Sequence, residues 1–243
     1  MPELARDEAL DAVALLADPV RRDLYQFIAG EPDGAGRDAA AAGVGVSRPL
    51  AAFHLDRLVA GGLLEASFRR LGARRGPGAG RPAKIYRRTP SDIVVSLPER
   101  HYDVAGELLA TAFETALKGA DSADGPASDR IANALDAAAR ELGRGLGVEA
   151  RRRAGPRPGR ARLLQAALDV LAERGYEPAA SGDEIVLRNC PFDALALRHR
   201  AVVCGMNFSI MGGLVEGLRG AGITTRLEPM AGRCCVVWGR PTG

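Results

Sequence analysis

The stretch at residues 47–88, SRPLAAFHLDRLVAGGLLEASFRRLGARRGPGAGRPAKIYRR, constrains the fold more than any other part of the chain. Its first half carries helix signals at every level. Ser47 is a good N-cap, and Pro49 sits inside the first turn, where a missing N–H is harmless. Ala51, Leu55 and Leu58 recur at helical spacing and make one buried face, and Gly61-Gly62 ends the run. The opposite face carries Pro49, Ala52, Phe53 and Arg57, with Arg48 and His54 on its shoulders and little negative charge apart from Asp56. Its small side chains permit close approach. Its donors suit guanine and phosphate, and its apolar atoms suit thymine methyls, which is what a helix entering a major groove needs. The second half reads as two strands around a Gly/Pro/Arg loop. Between Ala66 and Pro90 stand eight basic residues, Arg69, Arg70, Arg74, Arg75, Arg81, Lys84, Arg87 and Arg88, and no acidic one. A basic hairpin directly after a recognition-type helix is a wing, suited to phosphate or minor-groove contact. Arginine richness alone argues little, because lysine appears only at Lys84 and Lys118. The order of helix, turn, capped helix and basic hairpin carries the reading. The DNA-contacting candidates are therefore Ser47, the outward face of its helix, and the hairpin cations Arg69, Arg70, Arg74, Arg75, Arg81 and Lys84.

Upstream, residues 7–17 read as a first helix, and Asp18-Pro19 restarts the chain as N-cap and first helical residue. Val20, Leu24, Phe27 and Ile28 supply the next apolar face. Residues 31–37 are a Gly/Pro-rich connection. Asp38 caps the short alanine run 39–42, and Gly43-Val44-Gly45-Val46 is the turn of a helix-turn-helix. SRPLAAFHLDRLVAGGLLE followed by GRPAKIYRR resembles the winged helix of ArsR-type bacterial regulators, over about the first ninety residues. That resemblance implies double-stranded DNA as the partner.

A chain of 243 residues exceeds one small domain. The expected organisation is a DNA-binding domain at 1–95, a dimerisation helix and linker at 96–127, and a cysteine-containing sensor domain at 128–243. The expected class is mainly α, with an α+β second domain whose strands come late. Ser96-x-x-Glu99 reads as a capping box opening a long helix to about Lys118. Within it Tyr102, Ala105, Leu109, Ala112 and Ala116 follow 3-4-3-4 spacing, the stripe of a helix packing on a partner helix, here a second copy of the chain. Net charge is only +3, so attraction to nucleic acid must come from local clustering. No apolar run approaches a membrane span and the first residues are acidic and amphipathic, so the expectation is a cytoplasmic protein without a membrane partner.

All four cysteines lie beyond residue 189, which does not resemble a secreted disulfide framework. Cys190 precedes Pro191 and is expected at the N-cap of a short helix at 191–199, where the helix dipole favours thiolate. Cys204 falls within the helix at 201–218. Cys234 and Cys235 are adjacent at the expected start of the last strand, whose alternation would turn only one of them toward a shared site. Three thiolates, with His199, an acid or an exogenous group as a fourth ligand, suit zinc or an iron–sulfur cluster equally. Buried cysteines without a ligand, or a redox pair, remain alternatives on the residues alone.

NCPFDALALRHRAVVCGMNFSIMGGLVEGL with a terminal RLEPMAGRCCVVW is similar to the C-terminal domain of SufR-like regulators. These join an ArsR-type winged helix to a cysteine domain holding an iron–sulfur cluster, and act as dimeric repressors of cluster-assembly operons. The resemblance implies a 4Fe–4S cluster on Cys190, Cys204 and the Cys234-Cys235 pair. The single cysteine before Pro191 and the doubled cysteine near the end depart from relatives and leave the ligand set open. The expected function is a homodimeric repressor whose operator binding depends on that cluster. Its rivals are a repressor sensing zinc or a small organic ligand, and a ligand-free architectural DNA-binding protein. An enzyme is not expected, since no His or acid stands at motif spacing from any cysteine.

Overall fold

The computed structural model describes residues 6–69, 82–118, 126–230 and 232–239. The chain divides between Val95 and Ser96 into two compact units, both mixed helix and antiparallel sheet.

In the first unit α1 (Arg6–Leu15) and α2 (Pro19–Ala29) are followed by the two-residue strand β1 (Ala35–Gly36). Then come α3 (Arg37–Val44), α4 (Arg48–Ala60), β2 (Leu64–Arg69) and β3 (Ala83–Arg88). Asp18 caps α2 by accepting the Arg21 N–H at 3.1 Å. Ser47 caps α4 by accepting the Leu50 N–H at 3.4 Å. Gly45 ends α3 at φ 74°, a left-handed conformation that favours glycine. Gly43 lets α3 approach α2, because a Cβ there would meet the Phe27 ring at 2.1 Å. The expected connection at 31–37 contains β1, too short to leave a strand signal; Ala35 pairs with Tyr86 and completes a sheet ordered β1-β3-β2. The α3 cap is Gly36, with Asp38 inside the first turn rather than at the cap. Leu24, Ile28, Ala40, Ala51, Leu55, Leu58, Leu64 and Tyr86 close the core.

The second unit holds α5 (Tyr102–Lys118), α6 (Ala127–Ala154), α7 (Arg160–Ala172), β4 (Pro178–Ser181), β5 (Glu184–Leu187), α8 (Asp193–Arg198), α9 (Arg200–Leu218), β6 (Thr224–Leu227) and β7 (Val236–Gly239). Its sheet is ordered β4-β5-β7-β6 and is antiparallel throughout. The α6–α9 pair is the spine. Gly143 and Gly147 on α6, and Gly213 and Gly217 on α9, bring the two backbones into direct contact. A Cβ at any of the four would lie within 2.4 Å of a carbonyl oxygen on the other helix. A polar seam flanks the crossing: Glu216 bridges Arg140 at 2.8 Å and Arg144 at 3.1 Å, and Asp136 accepts the Ser209 hydroxyl at 2.5 Å.

Four expectations for this unit need correction. The long helix starts at Tyr102, not after Ser96; Ser96 Oγ accepts the Arg100 N–H at 2.8 Å in a local turn, so there is no capping box. The stripe expected on α5 splits. Ala105 and Ala112 join Leu108 in the unit's own core and Ala116 is also buried, because small residues let a neighbouring helix close in. Tyr102, Leu109, Phe113 and Leu117 stay exposed. The basic, Pro/Gly-rich stretch at 151–159, whose composition predicts a break between helices from its first residue, instead begins as the last turn of α6, where Arg151, Arg152 and Arg153 face the negative end of the helix dipole. Finally, α9 is long and apolar enough to span a membrane, yet 61% of its apolar window is buried within the unit.

Candidate DNA-facing surface and thiol site

In the first unit the α4 capped by Ser47 buries Ala51, Leu55 and Leu58 and turns Ser47, Arg48, Pro49, Phe53 and Arg57 outward. Ala52 is half-buried. Phe53 is 54% exposed, and the Arg57 guanidinium lies over its ring at 5.1 Å. Arg57 also borders a cleft lined by Glu8, Asp11 and Leu15. Arg48 pairs with Asp38 at 2.5 Å, with both side chains well exposed. Such a pair is worth little in water and exchanges readily for another anion.

Two of the expected contact residues are held within the first unit. His54 is buried at 7% exposure, with no hydrogen-bond partner for Nδ1 among the described residues, because position 54 lies at the edge of the apolar face, one turn before Leu58. Lys84 is engaged inside the protein. Its ammonium reaches Asp56 at 2.6 Å and sits 5.1 Å from the Tyr86 ring centroid. Asp56 also accepts the Tyr86 hydroxyl at 2.6 Å and Arg37 Nη2 at 3.1 Å. Desolvation raises the Asp56 carboxyl's pKa, but the bonds from Lys84 and Tyr86 and the Arg37 charge outweigh it and hold the group below its ordinary range. Asp56 is thus a bracket tying α4 to β3 and to the start of α3. Sequence reasoning saw it only as an unhelpful charge. Arg69 is exposed at the end of β2, beside the 71%-exposed Phe68. Arg70, Arg74, Arg75 and Arg81 lie outside the described residues.

In the second unit all four cysteines are buried. Backbone pairing makes the site: the Cys234 N–H donates to the Leu187 carbonyl at 2.8 Å, laying the approach to β7 beside the end of β5, three residues before Cys190. Cys190 is held by its own backbone. Its carbonyl accepts Arg100 Nη1 at 3.0 Å and the Asp193 N–H at 3.1 Å. The neighbouring Asn189 is fixed by the Glu99 carbonyl at 3.0 Å and the Gly175 carbonyl at 2.5 Å. The thiols of Cys190 and Cys234 interact with each other, and Cys234 also with Cys235.

Both cysteine expectations change here. Phe192, not Cys190, caps the short helix. The Phe192 N–H does favour the Cys190 thiolate, but hydrogen bonding with Cys234 and burial push that thiol's pKa strongly upward. Cys234 is relieved by a hydrogen bond from Cys190, yet its bond with Cys235 and desolvation leave it raised to about 12. Cys234 and Cys235 precede β7, with a bend at Cys235, so strand alternation does not separate them and both thiols belong to one cluster. Cys204 reaches the same core from α9. His199, at the α8–α9 junction, is exposed, whereas the thiols are buried.

Sequence reasoning missed two residues here. Asn207, fully buried on α9 one turn after Cys204, donates its side-chain N–H to Cys234 Sγ at 3.0 Å. Tyr176 donates its hydroxyl to Asn207 Oδ1 at 2.6 Å. Burial, then the Cys234, Cys190 and Cys235 charges, raise the Tyr176 pKa well above normal, so it remains a donor. The available signal was an asparagine inside an otherwise apolar helix. Among the described residues no three His, Cys, Asp or Glu side chains stand at the spacing of a single metal ion. No protein-family model, curated protein or solved structure matches the chain.

Proposed function

We propose that the protein is a transcriptional regulator, a homodimeric repressor that reads DNA with a winged helix in its first unit. Its second unit would report the state of an iron–sulfur cluster. The observation that carries the reading is α4. It is capped at Ser47, anchored by Leu55 and Leu58, and directs Arg48, Pro49, Phe53 and Arg57 outward beside a two-stranded hairpin. A helix reading base edges from one face while burying the other has that requirement.

The donor chemistry of the second unit fits a thiolate-held centre. Soft ligands from two segments, Cys190 with Cys234 and Cys235, interact in a shell containing Phe192 and Val236, and Cys204 is available on α9. Thiolates brought together from separate segments suit an iron–sulfur cluster or zinc, and the resemblance to cluster-holding regulators favours the cluster. When bound, such a cluster supplies redox sensitivity. The chain's own residues hold the thiols, exclude water and release their protons on binding. The exposed Tyr102, Leu109, Phe113 and Leu117 of α5 supply an apolar surface for the second copy, and the setting is cytoplasmic.

The test is anaerobic purification with iron, sulfide and zinc analysis and visible absorption, repeated on single cysteine-to-alanine variants. Stoichiometric iron and sulfide with absorption lost in Cys190→Ala and Cys234→Ala supports the reading. Zinc alone would favour a metal-ion sensor. Colourless, metal-free protein that still binds DNA would leave an architectural role.

A further inference from the structure

We propose that Asn207 is the positioning residue of the thiol site, holding the Cys234 sulfur as a hydrogen-bond acceptor in the orientation in which it meets a metal. This rests on the reading of that site as a thiolate centre, and adds which residue orients one of its sulfurs.

The position is unusual for an amide. Asn207 has no exposed surface and sits in the middle of a helix whose neighbours Val203, Met206, Ile210, Met211 and Leu214 are all core residues. An amide there is tolerated only if its polar atoms are paired. Both ends are paired with specific partners: Tyr176 Oη to Oδ1 at 2.6 Å, and Nδ2 to Cys234 Sγ at 3.0 Å. The tyrosine contact has a directional consequence. With its hydroxyl donating to Oδ1, the amide is oriented so that its N–H points at sulfur.

Cys234 stands among the other thiols, interacting with Cys190 on one side and Cys235 on the other. A neutral thiol is a weak acceptor, whereas a metal-bound sulfur that has lost its proton can only accept, so the Asn207 N–H suits the metal-bound form of this sulfur better than the free thiol. Outer-shell donors of this kind orient a ligand and tune the metal it binds.

The experiment uses cadmium(II) as a thiophilic probe of the full-length, reduced, metal-free protein, with chelator competition for affinity and the sulfur-to-cadmium charge-transfer band for ligation. Asn207→Asp keeps the side chain's shape but removes the N–H donor. It is expected to weaken binding by about 10- to 100-fold and to shift the band. Tyr176→Phe frees the amide orientation and is expected to weaken binding less. A packing role would not discriminate in this way, and the decisive comparison is made in a Cys234→Ala background. There Asn207→Asp should add no further loss, because its effect runs through that sulfur. Should Asn207→Asp not fold, Tyr176→Phe carries the same cycle. Wild-type affinity and spectrum in both variants, or an undiminished Asn207→Asp effect without Cys234, would overturn the positioning role and leave the thiolate centre standing. Wild-type protein that binds neither cadmium nor iron would overturn both.

Discussion

The packing of α6 on α9 makes a prediction in which two chemically identical substitutions, two residues apart, have opposite signs. Gly145 and Gly147 both lie in the interior of α6. A Cβ on Gly145 meets nothing within 4 Å, whereas one on Gly147 would stand 2.2 Å from the Leu214 carbonyl oxygen and 2.8 Å from the Gly217 Cα. Alanine is favoured over glycine in a helix by about 1 kcal/mol, and at the exposed Gly145 that gain is the whole effect. At Gly147 the same gain is opposed by backbone that cannot rotate away, so the helices must separate. Over-packing of this kind costs about 1–3 kcal/mol, and a rigid neighbour places the cost near the upper end. Gly147→Ala should therefore lose about 2 kcal/mol net, leaving the two variants about 3 kcal/mol apart. For a domain of this size, about 2–4 °C per kcal/mol gives a midpoint raised by about 3 °C in Gly145→Ala and lowered by about 6 °C in Gly147→Ala. Circular dichroism during thermal and urea unfolding reads both shifts. Equal stabilities, or stabilisation by Gly147→Ala, would refute the direct backbone contact.

Asp56→Ala should destabilise the first unit by about 1 kcal/mol at neutral pH, the value of charged hydrogen bonds reduced for a half-exposed carboxylate. Because the folded-state pKa of Asp56 lies below its ordinary value near 3.8, its contribution is complete above that value and is lost as pH falls through the lower folded pKa. Urea titrations should thus show wild type and variant converging in acid; a constant gap down to the lowest pH would contradict the bracket. Arg57→Ala should cost about 1–3 kcal/mol at particular base pairs of a selected DNA site, whereas Lys84→Ala should change stability more than the salt dependence of binding. A salt slope reduced by about 0.9 in Lys84→Ala would show that this lysine meets phosphate after all. Leu109→Arg introduces a charge into the exposed apolar surface of α5 and should convert dimer to monomer in sedimentation, with operator affinity falling more than non-specific affinity. A stable dimer would assign the second copy to another surface.

The elements legible in the sequence were those with strong local chemistry. Asp18 and Ser47 are legible as caps because their oxygens meet N–H groups three residues away, and the α4 face because Ala51, Leu55 and Leu58 repeat at helical spacing. What escaped depended on distant partners. The strand at Ala35–Gly36 exists through Tyr86, and the bracketing role of Asp56 depends on Lys84. The α5 stripe was read as one face, but its alanines and its bulky residues went to opposite sides once α6 was present. At the thiol site the cysteines were conspicuous by type. A helix start by itself predicts a thiolate at Cys190, but the thiol neighbour and the burial outweigh it there. Asn207 gave no motif; only its contact with Cys234 reveals a role.

The proposed function requires that the state of the thiol site govern DNA binding. It is tested most directly by measuring the affinity of anaerobically prepared protein for a DNA site selected from genomic fragments, by fluorescence anisotropy at fixed salt. The measurement compares protein with its cluster reconstituted and with it removed by chelation, in wild type and in Cys190→Ala. A coupling between sites of about 1–3 kcal/mol corresponds to a 5- to 150-fold difference between the two wild-type states, and the variant should show none. Equal wild-type affinities with and without a cluster, or equal responses in wild type and Cys190→Ala, would contradict the account.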